Sequence, residues 1–512
     1  MIKPTGRRVS QTASLQAPTK GLNAKDALAN MSTDYAVTLD NFFPTPSSVD
    51  VRAGDETHVT GLPAVVETLA FYTTGTTQKL FGASGSAIYD VTTAGAVGAA
   101  VVTGKANARW QTINMGTAGG FFLMMVNGAD KMSRYTGSAW QVDGDGSADV
   151  TGFDTATAIH INNFKNRVFF VEENSFSVWY LPVASVGGSA TEFDLSGLFR
   201  LGGYLMAMAN WTIDNSAGVN DYAAFITSEG EVAIYSGSNP ADSTDWSLVG
   251  TFRMGAPIGR RCFMKVGADV MVLTVDGAFP LSKSMLSDRT QLGVALTDKI
   301  APLINTDIAA YKGNFGWQPI YHPLGHKLIL NVPTVEGATS RQYVMNTQHG
   351  AWCRYTGWNA FCFELLNDQL YYGGDTVVYK ADTGQTDHGS NITSVAQQAF
   401  SYFGERGRVK RFTLVRPVFL SEGTVNPAVL VNVDFQSNRT DVAPSFTGTS
   451  GTAWDDGDWD DFSWSGGDTL TSRWQSVTGV GYAAGVRVVT AMQNIGCKWQ
   501  ATDFVYETGA VL

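Results

Sequence analysis

Charge is scarce in this chain. Lys, Arg, Asp and Glu supply only 16% of its 512 residues, against roughly one quarter in soluble domains generally. The balance is acidic: 46 Asp and Glu stand against 35 Lys and Arg, a net charge of −11 with a pI of about 5.0. Such a balance excludes tight nucleic-acid binding, which runs on Lys and Arg displacing counterions from phosphates. It permits nucleic acid to pass without adhesion, because fixed negative charge repels phosphate. Plain solubility is the simpler reading, and charge alone favours it.

Cysteine, histidine and long apolar runs are also scarce. The four cysteines, Cys262, Cys353, Cys362 and Cys497, are too few for a disulfide framework. Cys353 and Cys362 lie at a spacing that fits no zinc motif, so buried free thiols are expected. The longest apolar run, Phe121 to Val126, is far too short to cross a bilayer, and no membrane insertion is expected. Lys3, Arg7 and Arg8 have no apolar stretch behind them, so the N-terminus does not read as a signal peptide, and synthesis in a cytoplasm is expected. His322 and His326 flank Pro323 and Gly325, so a helical i, i+4 metal pair is not expected.

No G-x-S-x-G elbow, H-E-x-x-H or P-loop is present; Gly104-Lys105 is followed by Ala106, and Ala99 replaces the first P-loop glycine. The best metal candidate is D-G-D-G-S-A-D at 143–149. Asp143, Asp145, Ser147 and Asp149 alternate, with Asp154 further on, as in part of a calcium loop. Ala148 stands where that loop needs glycine and Asp154 replaces its glutamate, so an acidic surface turn is expected. An acidic run at 455–462 is read the same way, its aromatics packing inward. A propeller glycosidase would need two carboxylates roughly 5–9 Å apart. Glu172, Glu173, Glu229 and Glu231 sit in hairpin turns, where exposed charge is ordinary, and no repeated sialidase-type box is found. No catalytic residue, metal or cofactor is expected.

Glycine and aromatics are plentiful: 55 Gly, and 12% Phe, Trp and Tyr. The stretch 223–237, AAFITSEGEVAIYSG, reads as a β-hairpin turning at Gly230. Similar units recur at 79–91, 122–135, 166–181, 269–283, 326–345 and 367–382. Their turn markers Gly85, Gly128, Asn174, Gly230, Gly277, Gly337 and Gly373 fall 36 to 60 residues apart. One hairpin is not stable alone, and a repeat of roughly 40–50 residues of short strands predicts propeller blades. The expected fold is all-β: a β-propeller of about seven blades over 61–390, with long loops at 183–222 and 286–325. Trp211, Trp317, Trp352 and Trp358, in or near connections, are read as core residues ahead of interface ones.

The flanks differ. Residues 1–20 read as a mobile N-terminal arm, and 21–60 as a docking segment in which Asp26 caps a short helix through Leu28 and Met31. Phe42 and Phe43 need burial, either on the protein's own core, which is favoured, or on a neighbour. In 391–512, Val429, Val431, Val433 and Phe435 alternate with period two, and further strands read at 409–420, 485–492 and 497–506. This part is expected to be a separate β-sandwich-like domain. Arg406, Arg408 and Lys410 would share one face of an extended chain. There they would pair with a neighbouring subunit or passing phosphates, or form a solvated edge that discourages sheet-to-sheet sticking.

G-L-N-x-x-D at 21–26, L-D-N-x-x-P at 39–44 and R-x-G at 52–54 resemble the N-terminal signature of tail proteins of short-tailed bacteriophages, those that form the nozzle or hub of the tail tube (tail tubular protein B-like). The hairpin at 80–91 is similar to that family's next segment. The resemblance covers about 70 residues of the 512. It implies a structural virion protein, six copies around an axial channel, and an adaptor or head-to-tail connector ring above. It also implies a tail fibre or spike as partner, and genomic DNA passing through without specific binding. Leu22, Asp26, Leu39, Asp40, Phe42, Phe43, Arg406, Arg408 and Lys410 are the expected subunit or adaptor interface. A receptor- or carbohydrate-binding tail protein and the glycosidase are the alternatives.

Overall fold

The computed structural model describes residues 10–215, 218–283, 295–423, 425–436 and 469–509. The chain folds as two compact units. Unit 1 comprises Met1–Glu56, Gln342–Trp358 and Ala381–Leu512; unit 2 comprises Thr57–Arg341 and Asn359–Lys380. These bounds differ from the sequence reading. The segments 342–358 and 381–390 leave the expected propeller range, and the N-terminal segment folds with the C-terminal one instead of standing apart.

Unit 2 is an all-β, multi-sheet body of propeller-like type. All seven hairpins expected from the sequence form. In the 223–237 unit, Tyr222 pairs with Ser236 and Ile226 with Val232. Gly230 turns the chain at φ +84, where a Cβ would lie 2.4 Å from the Met254 carbonyl oxygen, so only glycine fits. Gly373 is the exception among the turn markers. It lies inside the strand Gln369–Gly373, and Thr376 supplies the positive φ of that turn.

Each hairpin is preceded by a further strand that the hairpin pattern did not include. These inner strands are Val66–Thr73, Gln111–Thr117, Ala158–Phe164, Leu205–Asn215, Phe263–Val266, Gln318–His322 and Cys362–Leu366. They pack on one another's sheets in chain order, and Cys362–Leu366 meets Val66–Thr73 to close the circuit. Between neighbouring sheets lie separate apolar layers. Tyr72, Phe81, Trp110 and Tyr135 fill one, and Phe169, Tyr180, Phe225 and Trp246 another. Period-two side chains of one sheet thus meet those of the next, which supplies the burial a lone hairpin lacks.

The expected loop 183–222 contains Thr191–Asp194 and Leu205–Asn215 and runs on into Gly218–Thr227. Alternation begins only at Asn210, after the all-apolar stretch Leu205 to Ala209, yet the strand pairs along its length, from Leu205↔Thr227 to Asn215↔Gly218. In the expected loop 286–325, residues 286–294 lie outside the described residues. The rest holds the helix Ala301–Tyr311, with proline in its first turn and Ile304 and Ile308 buried one turn apart, then Gln318–His322.

Among the described residues, the strands of unit 1 lie in two sheets. In one, Cys497–Thr508 pairs with Lys410–Ser421, Val49–Val51 and Ser10–Gln16, and Phe42–Pro44 pairs with Val49–Val51. In the other, Ile392–Gln398 lies between Ala36–Asp40 and Ala484–Met492, and Ala428–Val433 lies beyond. The strands expected at 409–420, 485–492 and 497–506 are therefore present. The 1–20 arm is corrected: Ser10–Gln16 is a strand paired in register from Ser10↔Glu507 to Gln16↔Ala501. Backbone hydrogen bonds hold an edge strand whose side chains face solvent, so polar composition did not exclude it. Residues 1–9 of that arm lie outside the described residues, as does the acidic run 455–462.

Candidate functional site

The signature residues of the sequence resolve into one buried anchor within unit 1. Asn41 takes φ +56, a left-handed conformation that asparagine tolerates better than most residues. Its side chain donates to Thr356 Oγ1 at 2.9 Å and to the Thr393 carbonyl oxygen at 2.8 Å. Its Oδ1 accepts from Arg52 Nε at 2.9 Å and from the Thr356 N–H at 2.8 Å. The Arg52 guanidinium, fully buried, then grips Asp387 through both terminal nitrogens at 2.8 and 2.6 Å. It also lies 5.0 Å from the Trp358 ring centroid and 5.5 Å from that of Tyr355. This is a two-point, desolvated Arg–carboxylate contact with cation–π support.

The signature glycines serve the same anchor. A Cβ on Gly54 would fall 1.8 Å from the Thr386 carbonyl oxygen, and one on Gly21 2.4 Å from that of Trp352. Leu22, Leu39 and Phe42 are buried in unit 1, Phe42 tilted against Trp499 at 6.2 Å. Phe43 is partly buried, and Asp40 pairs with Arg354 at 2.7 Å. Burial on the chain's own core is therefore what the adjacent phenylalanines receive. The expected helix at Asp26 does not form. Asn23 Oδ1 accepts from the backbone N–H groups of Lys25 and Asp26 instead, an Asx-type turn that competes with helix.

The basic triplet does not share one extended face. Residues 402–409 turn, and the strand begins only at Lys410. Lys410 is buried, its Nζ donating to the carbonyl oxygens of Glu405, Arg408 and Tyr482. Arg408 lies on Glu405 at the surface, and Arg406 stacks 4.6 Å from the Tyr402 ring centroid. A buried cation needs acceptors, and the turn carbonyls supply them, which composition could not foretell.

In the 143–149 loop the carboxylates fold back on their own amides. Asp149 accepts from the Gly144 and Gly146 N–H groups, Asp145 from Val142 and Ser147, and Asp143 from Val150 N–H and Thr155 Oγ1. Among the described residues, no group of three or more His, Cys, Asp or Glu side chains is placed to hold a metal ion. The four cysteines are free and buried, and burial raises the thiols of Cys262 and Cys362 to about 12. Trp211, Trp317, Trp352 and Trp358 are all buried.

Sequence reasoning missed a polar cavity of about 230 Å³ inside unit 2, lined from six of the seven inner strands. Arg261 reaches across it, donating to the Glu67 carbonyl oxygen at 3.0 Å, Thr68 Oγ1 at 2.6 Å and the Trp110 carbonyl oxygen at 3.1 Å. Burial pushes the Glu364 carboxyl up to about 7, outweighing the Leu365 N–H and Arg261, which pull it down. Burial likewise lowers His160 to about 3, so its ring is neutral at pH 7. Among the described residues that line the cavity, Glu364 is the carboxyl. No signal marked these residues beforehand, because each strand contributes only one to three of them.

Among the described residues, no helix is long and apolar enough to cross a membrane. No protein-family profile matches the chain, and no curated protein matches it. Among solved structures the chain is similar to BBS1N in its complex with ARL6DN, at 8% identity and a TM-score of 0.28, covering 62% of this chain and 76% of that one. It is similar to YCF48 bound to D1 peptide, at 9% identity and a TM-score of 0.37, covering 70% and 98%. It is also similar to Sqt1 of Saccharomyces cerevisiae, at 9% identity and a TM-score of 0.33, covering 64% and 100%.

Proposed function

We propose that this chain is a structural, non-catalytic virion protein, one subunit of the ring-shaped nozzle or hub of a short bacteriophage tail. In this reading unit 2 is a seven-bladed β-propeller and unit 1 a β-sandwich-like platform carrying the N-terminal strand. Six copies surround a channel that retains genomic DNA and lets it out, with an adaptor ring above and a fibre or spike attached. The tail of the virion is its location, after synthesis in a host cytoplasm.

The observation that carries the reading is the anchor at Asn41, Arg52 and Asp387. The residues that resemble the tail-protein signature are the ones on which unit 1 is built, so the likeness lies in fold-determining positions and not in surface composition. Two features support it. Leu470, Trp474, Val480 and Tyr482 stand exposed in unit 1, the kind of apolar surface that marks a protein interface. The net charge of −11 suits a conduit that must not hold DNA. Since Leu22, Leu39 and Phe42 are buried, the interface in this proposal moves from those residues to the exposed edge at 470–482.

Native mass spectrometry and negative-stain imaging of the assembled full-length chain test this. A six-membered ring with an axial opening is expected. A stable trimer would instead favour a carbohydrate-binding spike and overturn the proposal.

A further inference from the structure

We propose that the cavity enclosed by the inner strands of unit 2 is a binding site for a small oxyanion, a phosphate or a compact carboxylate. The argument starts from hydrogen-bond donors that the protein leaves unused. Gln111 is 93% buried and lines the cavity, and its side-chain amide has no partner among the described residues. Neither amide atom is sealed off as an unpartnered buried group, so the amide faces the open space of the cavity, where an occupant can meet it. His160 also lines the cavity and is buried. Its Nδ1 accepts a long hydrogen bond of 3.5 Å from the Met208 N–H, which leaves the proton of the neutral ring on Nε2. That Nε2–H has no protein acceptor among the described residues.

Charge points the same way. The titratable lining consists of Arg260, Arg261, His160, Glu364 and Cys362, whose thiol, raised to about 12, is neutral. Arg261 spends three of its five N–H donors on Glu67, Thr68 and Trp110. Arg260 donates to the Asn127 carbonyl oxygen at 3.3 Å and lies 3.6 Å from Glu173. Both guanidiniums keep donors in hand, and burial raises the Glu364 carboxyl to about 7, so it carries only part of a negative charge at neutral pH. In a chain of net charge −11 this interior wall is positive and rich in N–H groups, a combination that suits an anion with several acceptor oxygens. Gln318 exchanges two hydrogen bonds with the Phe363 backbone, which fixes its amide and leaves its second N–H as a further donor. A volume of about 230 Å³ admits a phosphate or a short dicarboxylate, less than the drug-sized ligands of roughly 300–1,000 Å³ sites.

The test is isothermal titration of the full-length chain with inorganic phosphate and, separately, with malonate, chloride being the background anion. Saturable binding of either is expected, and the stronger of the two assigns the ligand's head group. Gln111→Leu should weaken binding about tenfold or more, the value of one hydrogen bond to a charged group. Its thermal midpoint should stay level, because the amide makes no hydrogen bond within the protein among the described residues. His160→Leu serves as a second variant with the same expected loss. Arg167→Gln, outside the cavity, should bind as the parent does. Absence of saturable binding with both probes, or unchanged affinity in both cavity variants, would show a cavity that holds only water. Equal loss in Arg167→Gln would trace any binding to general surface charge. Each of these results would overturn the proposal.

Discussion

Arg52 and Asn41 hold each other from both sides: Arg52 Nε donates to Asn41 Oδ1 at 2.9 Å, and the Asn41 carbonyl oxygen accepts from the Arg52 backbone N–H at 3.0 Å. The reciprocal contact keeps Asn41 at its positive φ and aims the guanidinium at Asp387, 335 residues further on. A contact spanning so much sequence is slow to form by loop closure but fixes the topology of unit 1 once made.

Asp387→Ala should therefore be severe. It leaves a fully buried guanidinium without its carboxylate, a loss of about 3–5 kcal/mol in comparable buried pairs. Urea unfolding of the full-length chain, followed through the tryptophans of unit 1, reads it. The double variant Arg52→Met with Asp387→Leu should recover part of the loss, since no charge then stays buried. A wild-type midpoint in Asp387→Ala would mean that water or another acceptor takes the place of the carboxylate.

Removing residues 1–54 should unfold unit 1 and not merely detach an arm. The deletion takes away Ser10–Gln16, Ala36–Asp40, Phe42–Pro44 and Val49–Val51 together with buried Leu22, Leu39 and Phe42. Truncating one such side chain typically costs about 2–5 kcal/mol, so losing three of them together with four paired strands is on the scale of a whole domain's stability, roughly 5–15 kcal/mol. Limited proteolysis of the shortened chain should cut throughout 381–509. Persistent resistance there would show that the C-terminal strands stand without the N-terminal segment.

Glu364 predicts a pH dependence in unit 2. Its folded value, about 7, lies above its ordinary 4.5. A carboxyl raised in this way contributes its stabilisation fully below the unfolded value and loses it as pH climbs through about 7. Glu364→Gln should remove that component, and the variant should gain on the parent at pH 8 by up to about 3 kcal/mol, the equivalent of the shift. Thermal unfolding at pH 5 and pH 8 measures it. Parallel changes in parent and variant would place the titration elsewhere.

Much of unit 2 was readable one residue at a time. Hairpin turns need a positive φ, glycine supplies it, and period-two alternation of branched and aromatic residues does the rest. The inner strands escaped because Gln111–Thr117 and Ala158–Phe164 carry polar residues toward the cavity, which breaks the alternation a strand is recognised by. Lys410 and Asn23 were misjudged for a related reason: a polar side chain declares itself, but not the backbone group it will meet.

From its residues alone this chain dictated an all-β body of repeated hairpins, thiols too few to cross-link and no recognisable catalytic motif, because turn chemistry and side-chain period act over a few residues. Tertiary structure alone decided that Ser10–Gln16 joins the C-terminal strands, that Asn41, Arg52 and Asp387 converge, and that Gln111, His160, Arg261 and Glu364 face one space. Those outcomes turn on which distant strands become neighbours, and that is set by the burial of whole sheets against one another, a sum no local stretch contains.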